Sequence, residues 1–161
     1  AIGTGFLHLA SRSLSFTPGR DPAVQFLVVE NDTISDYRLP SGILVFRPDM
    51  TGATGNIRFP SHFAAAVEPH NTAAVEMLKA QNIRTVTCGM SQKDTVTFSS
   101  LTEGSAVVSL QREIESRAGE AILPREIPVT FTQPKGEYPL LAAAAVLLLS
   151  GTVLPDADIA V

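Results

Sequence analysis

Residues 68–89, Glu-Pro-His-Asn-Thr-Ala-Ala-Val-Glu-Met-Leu-Lys-Ala-Gln-Asn-Ile-Arg-Thr-Val-Thr-Cys-Gly, constrain the fold more than any other stretch. The apolar residues 64–67 just before them read as a short buried strand. Asn71 or Thr72 can cap a helix, in which Ala74, Val75 and Leu78 recur at helical spacing. Asn82 stops the helix, and the β-branched Thr85-Val86-Thr87 with Cys88 reads as a second strand that ends at Gly89. Strand, helix, strand at this spacing is a right-handed crossover, which places both strands in a parallel sheet.

The flanking segments extend that sheet. Residues 23–29 carry Val24, Phe26, Leu27, Val28 and Val29 almost without interruption, as strands buried on both faces do. Ile43-Leu44-Val45-Phe46 repeats the pattern after the Pro40-Ser41-Gly42 turn. These strands end in Glu30-Asn31-Asp32 and Arg47-Pro48-Asp49, so each delivers an acid at its carboxyl end. Residues 50–62, with Gly52, Gly55 and Pro60, read as a loop. Beyond Gly89 the character changes. Residues 94–100, 106–111 and 127–131 are short alternating segments separated by Glu103-Gly104 and Ala118-Gly119, the pattern of an antiparallel meander. Residues 140–149 are apolar on almost every side and read as a buried helix, and Pro155-Asp156 opens what reads as one more. Residues 1–20 are the least legible, with one strand expected among Phe6, Leu7 and Leu9. The expected architecture is a single α/β domain over 1–161: a mostly parallel sheet flanked by helices, with an antiparallel extension.

Composition narrows the function classes. A hydrophobic fraction of 45% with 17% charged residues belongs to a folded chain, and a net charge of -4 offers no basic footprint, so nucleic-acid partners are not expected. The apolar run at 138–149, broken by Pro139, falls well short of the ~20 residues that cross a bilayer, so no membrane insertion is expected. Cys88 is the one cysteine and cannot form an internal disulfide. With no basic, apolar leader at the amino terminus, the expected setting is cytoplasmic.

The order of parts resembles the central domain of the Mur ligase family, ATP-dependent enzymes that add amino acids to peptidoglycan precursors, with folylpolyglutamate synthase as a relative. Ala65-Ala66-Val67-Glu68-Pro69-His70-Asn71 lies where that family has a strand leading to an Asn-x-Asp-Asp turn. Thr85-Val86-Thr87-Cys88-Gly89-Met90-Ser91 is similar to its Val-x-Thr-Phe-Gly-x-Ser segment, and Asp94-Thr95-Val96 to its entry into antiparallel strands. Ile127-Pro128-Val129, followed by Gly136-Glu137-Tyr138-Pro139 and the alanines behind it, is similar to the family's Gly-x-His-Asn helix start. The departures bear on activity. Such a ligase needs a glycine-rich loop ending in Gly-Lys-Thr or Gly-Lys-Ser to cradle phosphates. The lysines here are Lys79, Lys93 and Lys135, and none follows such a loop; Gly3-Thr4-Gly5 runs into Phe6, Leu7 and His8 instead. The family's carbamylated lysine has no counterpart between Met50 and Glu68, and Glu137-Tyr138 stands in place of the His-Asn pair. The resemblance therefore implies a non-catalytic binding or regulatory module linked to peptidoglycan precursors, with no cofactor. That module is expected to act by itself, with another protein chain or as a homo-oligomer. The alternatives are part of an ATP-dependent amide ligase, using magnesium and ATP and completed by another chain, and a small nucleotide-sugar binder.

Candidate site residues come from strand ends and the helix start. Glu30 and Asp49 close neighbouring strand candidates, where open parallel sheets bind ligands. The resemblance makes Glu30 the magnesium glutamate and puts Asp49 near an Asp-His pair, but two oxygen ligands are few for a metal, and solvated acids are the favoured reading. His70, Asn71 and Thr72 precede the central helix, where a ligand could meet its positive end; ordinary capping is favoured over that role. Cys88 reads as a core residue rather than a nucleophile, because no histidine is paired with it in sequence. Lys93 and Asp94 read as surface residues of a turn. His8 and His62 stand in unrelated segments without metal-ligand spacing.

Overall fold

In the computed structural model, residues 7–8, 27–28, 41–50, 58–60, 62–131, 136–151 and 159–160 are described. The chain divides into two units, Ala1–Ile34 and Ser35–Val161. In the first, strands β1 (Leu7–His8) and β2 (Leu27–Val28) pair in parallel, Leu7 opposite Leu27 and His8 opposite Val28. Glu30 and the rest of the expected strand at 23–29 lie outside the described residues.

The second unit is α/β. Strands β3 (Gly42–Val45) and β4 (Phe63–Val67), helix α1 (Thr72–Ala80) and strand β5 (Arg84–Thr87) come first. Both pairings of the sheet β3-β4-β5 are parallel, with Leu44, Ala65 and Thr85 in one row. The expected crossover is therefore present. Every residue of β4 is buried, and its Ala64-Ala65-Ala66 core is fully so. Small side chains on a central strand let the layers above and below approach closely. Phe63 joins β4 where the sequence suggested a start at residue 64, and its ring requires Gly42 opposite: a Cβ there would stand 2.6 Å from the ring. Asn71, rather than Thr72, caps α1, its side chain accepting from the Ala74 N–H at 3.1 Å. Asn82 ends the helix in the left-handed region, at φ 53°, a conformation that asparagine tolerates better than most residues.

Strands β6 (Val96–Leu101), β7 (Ser105–Leu110), β8 (Ile114–Glu115), β9 (Ala121–Ile122) and β10 (Arg125–Thr130) come next, then helix α2 (Glu137–Ser150) and strand β11 (Ile159–Ala160). The antiparallel meander β6-β7-β10 holds, with a bulge between Phe98 and Ser100. Inside the connection expected to be a turn at Ala118-Gly119, β8 and β9 form a small hairpin, with Gly119 at φ 85°. Two-residue strands carry too little alternation to be read from sequence. Residues 152–158, the expected start of a last helix, lie outside the described residues; Ile159–Ala160 pair in parallel with Val129–Thr130. The two main sheets meet where Cys88 bridges Val96, the Gly89 N–H donating to the Val96 carbonyl at 3.1 Å.

Helix α2 packs on β3, β4 and β6 and so spans both sheets. Leu141, Ala145 and Leu149 are fully buried, and Leu140, Ala144 and Leu148 nearly so. The helix starts three residues before the expected Leu140, because Pro139 falls in its first turn, where a missing N–H costs nothing. It ends at Gly151, left-handed at φ 72°, whose N–H returns to the Leu148 carbonyl. Leu141→Ala is expected to lower stability by about 2–5 kcal/mol in urea unfolding. Val45→Ala, at a side chain 48% exposed, is expected to stay within about 0.5 kcal/mol.

Candidate functional site

Where β3, β4 and β5 end, three turns lie side by side: 46–50, 68–71 and 88–94. Asn71 ties the first two, its side-chain amide donating to the Arg47 carbonyl at 3.0 Å while the same side chain caps α1. Of the sequence-derived site residues, Asp49, His70, Asn71 and Thr72 are thus gathered at one edge of the parallel sheet. Glu30 lies outside the described residues.

Their engagements differ. Asp49 is exposed, and its carboxylate accepts both Nε and Nη2 of Arg47, at 3.1 and 2.9 Å. That hydrogen-bonded guanidinium holds the Asp49 carboxyl below its ordinary pKa. His70 and Thr72 are exposed. Asn71 is buried and has both ends of its amide in use. Among the described residues no group of three or more His, Cys, Asp and Glu is placed to hold a metal ion. Asp49 is the described member of the magnesium pair, and with Arg47 across both its oxygens it makes a poor magnesium ligand.

The third turn holds what sequence reading missed. Asp94, expected at the surface, is 4% exposed, while Lys93 beside it is exposed. Asp94 Oδ2 accepts the Ser91 N–H at 3.0 Å, and the Asp94 N–H donates to the Ser91 carbonyl at 2.9 Å, closing the turn on itself. Gly89 is what allows this: a Cβ there would lie 2.5 Å from Asp94 Oδ2 and 3.2 Å from Pro69 Cδ. The spacing of Gly89, Ser91 and Asp94 is a usable turn signal, but an acid in a loop gives no sign of burial. Below the turn, Thr87 and Thr95 are joined through the Thr95 N–H to Thr87 Oγ1 at 2.9 Å.

Cys88 is fully buried, as expected of a core residue, its Sγ 3.8 Å from the Leu141 carbonyl. Burial, and then the Asp94 carboxylate, push its thiol up to about 12 from 9.0. The thiol is therefore protonated at neutral pH and is no nucleophile. Tyr138, in the first turn of α2, is half-buried and donates its hydroxyl to the Phe46 carbonyl, with the Ala66 carbonyl 3.4 Å away. Burial above all, then Cys88 and Glu68, raise its pKa beyond the ordinary phenol range. A tyrosine at the head of an apolar helix does not announce in sequence which carbonyl it will reach.

No protein-family model, no curated protein and no solved structure matches this chain.

This edge generates two expectations. Gly89→Ala should cost about 1–3 kcal/mol, because neither the buried Asp94 nor Pro69 can withdraw without loosening the turn. Gly104→Ala, which would meet only the Phe131 carbonyl at 4.0 Å, is the neutral control in the same urea titration. Cys88 retains its proton in the folded chain at pH values where the unfolded chain has lost it. Stability is thus undiminished by this group below about pH 9 and falls as pH rises toward about 12. Unfolding at stepped alkaline pH, compared with Cys88→Ala, checks the slope. Alkylation by iodoacetamide at pH 8 should be slow in buffer and fast in urea.

Proposed function

We propose that this chain is a Mur ligase-like binding or regulatory module linked to peptidoglycan precursors, which binds a ligand at the ends of its parallel strands without transforming it. The carrying observation is that the buried and half-buried polar groups at this edge are committed to holding the backbone. Asn71 caps a helix and ties two turns; Asp94 closes a third; the Cys88 thiol keeps its proton; the Tyr138 hydroxyl serves a strand carbonyl. General-base or nucleophilic work needs a group that can take or give a proton while keeping its place, and each of these would release structure in doing so. The exposed His70, Thr72 and Arg47–Asp49 pair leave a polar rim suited to contact rather than chemistry. Strand ends of a parallel sheet are also where such sheets take ligands. The sequence agrees, since none of its three lysines follows a glycine-rich phosphate loop.

The test is thermal unfolding of the whole chain with a uridine-diphosphate sugar precursor of peptidoglycan, and separately with magnesium and ATP. A ligand at about 100 times its Kd stabilises the folded state by about 2.7 kcal/mol, which raises Tm by several degrees. The expected result is a rise with the sugar nucleotide and no phosphate release from ATP. Hydrolysis of ATP by the pure chain, or no rise with the sugar nucleotide up to millimolar concentration, refutes the reading.

A further inference from the structure

The ends of β3 and β4 present four backbone carbonyls, at Phe46, Arg47, Ala66 and Val67. Three are served from within the same edge: Arg47 by the Asn71 amide, Ala66 by the Phe46 N–H at 3.2 Å, and Val67 by the Cys88 N–H at 2.9 Å. The Phe46 carbonyl is served from another layer, by the hydroxyl of Tyr138 on α2. That hydroxyl has one proton to give, and the Ala66 carbonyl at 3.4 Å already has its donor.

The first turn of α2 depends on the same bond. Its N-cap is Gly136, at φ 86°, with no side-chain cap. Glu137 and Pro139 are exposed, so between the N-cap and Leu140 the half-buried Tyr138 is the residue that fastens the turn to the sheet. A fastening made by a side chain, at a helix start without a cap, can let go without unravelling the buried turns from Leu140 to Leu149.

We infer that Tyr138 is an autoinhibitory strap, holding the first turn of α2 over the ends of β3 and β4, and that its release uncovers these strand ends to a hydroxyl- or amine-bearing ligand whose donor takes the Phe46 carbonyl in its place. The inference rests on the binding function proposed above and adds its regulation. A ligand that must displace the strap has its affinity reduced by the fraction of molecules in which the strap is open, so removing the hydroxyl raises apparent affinity.

The experiment compares the whole chain with Tyr138→Phe, which keeps the ring and removes only the donor, by hydrogen exchange and by titration with the uridine-diphosphate sugar precursor. The expected result is exchange about tenfold faster in peptides covering 44–47 and 137–141, no change in β7 or β10, and binding of the sugar nucleotide about tenfold tighter in Tyr138→Phe. Exchange that rises evenly over the chain, or does not rise, shows an ordinary stabilising bond and overturns the strap. Tighter local protection with equal or weaker binding in the variant overturns it as well. Faster local exchange with no sugar nucleotide bound by either protein overturns the release of a ligand site and refutes the proposed binding function together, whereas binding by both proteins with equal affinity removes the strap alone and leaves that function standing. Tyr138→Leu, measured in parallel, shows whether the ring itself also covers the strand ends.

Discussion

Everything in the second unit depends on β4 being buried on both faces. A central strand of a parallel sheet has no solvent side, so its residues must be apolar and, where layers press close, small. Ala64, Ala65 and Ala66 meet both requirements. They set the height at which α2 crosses the sheet and allow one helix to touch β3, β4 and β6. A larger side chain at any of the three would push a layer outward, and the bond from Tyr138 to the end of β3 would lengthen with it. The Cys88–Val96 bridge then extends this platform into the antiparallel strands, so a single helix lies against a parallel and an antiparallel sheet at once.

The same burial explains the chemistry of the strand ends. Cys88 and Asp94 are placed against α2 and the β4 turn with little solvent, which makes an ionised thiol costly and a hydrogen-bonded carboxylate useful as a clasp. Asn71, Asp94 and Tyr138 each hydrogen-bond backbone N–H or carbonyl groups at these ends. Open to solvent at the same edge are the Arg47–Asp49 pair, His70 and Thr72, together with Met90, Ser91, Gln92 and Lys93 of the third turn. At the far end of the sheet, Arg84 plays a comparable holding part: its guanidinium reaches Glu115 Oε1 at 2.7 Å and the Ser116 carbonyl at 3.0 Å, fixing the β8–β9 hairpin.

The strand-helix-strand unit was legible because its period changes from continuous apolar to helical and back within a short stretch, and because Asn71 and Asn82 bracket the helix. The meander was legible from alternation. The hairpin β8–β9 and strand β11 were not, since two residues have no period. Among the site residues, the position of Asp49, His70, Asn71 and Thr72 at strand ends could be read from where apolar runs stop. The burial of Asp94 could not, because it depends on the missing Cβ of Gly89 and the position of Pro69, residues brought together only by folding.

By itself, then, the sequence determined the α/β class, the parallel crossover, the buried last helix and the edge at which polar groups collect, all of which are set by the order and period of apolar residues along the chain. The tertiary structure alone decided which side chain serves which distant partner: Asn71 the Arg47 carbonyl and Tyr138 the Phe46 carbonyl. Hydrogen bonds across 24 or 92 residues of separation depend on where layers come to rest, and that is set by packing volumes in the core rather than by any local pattern.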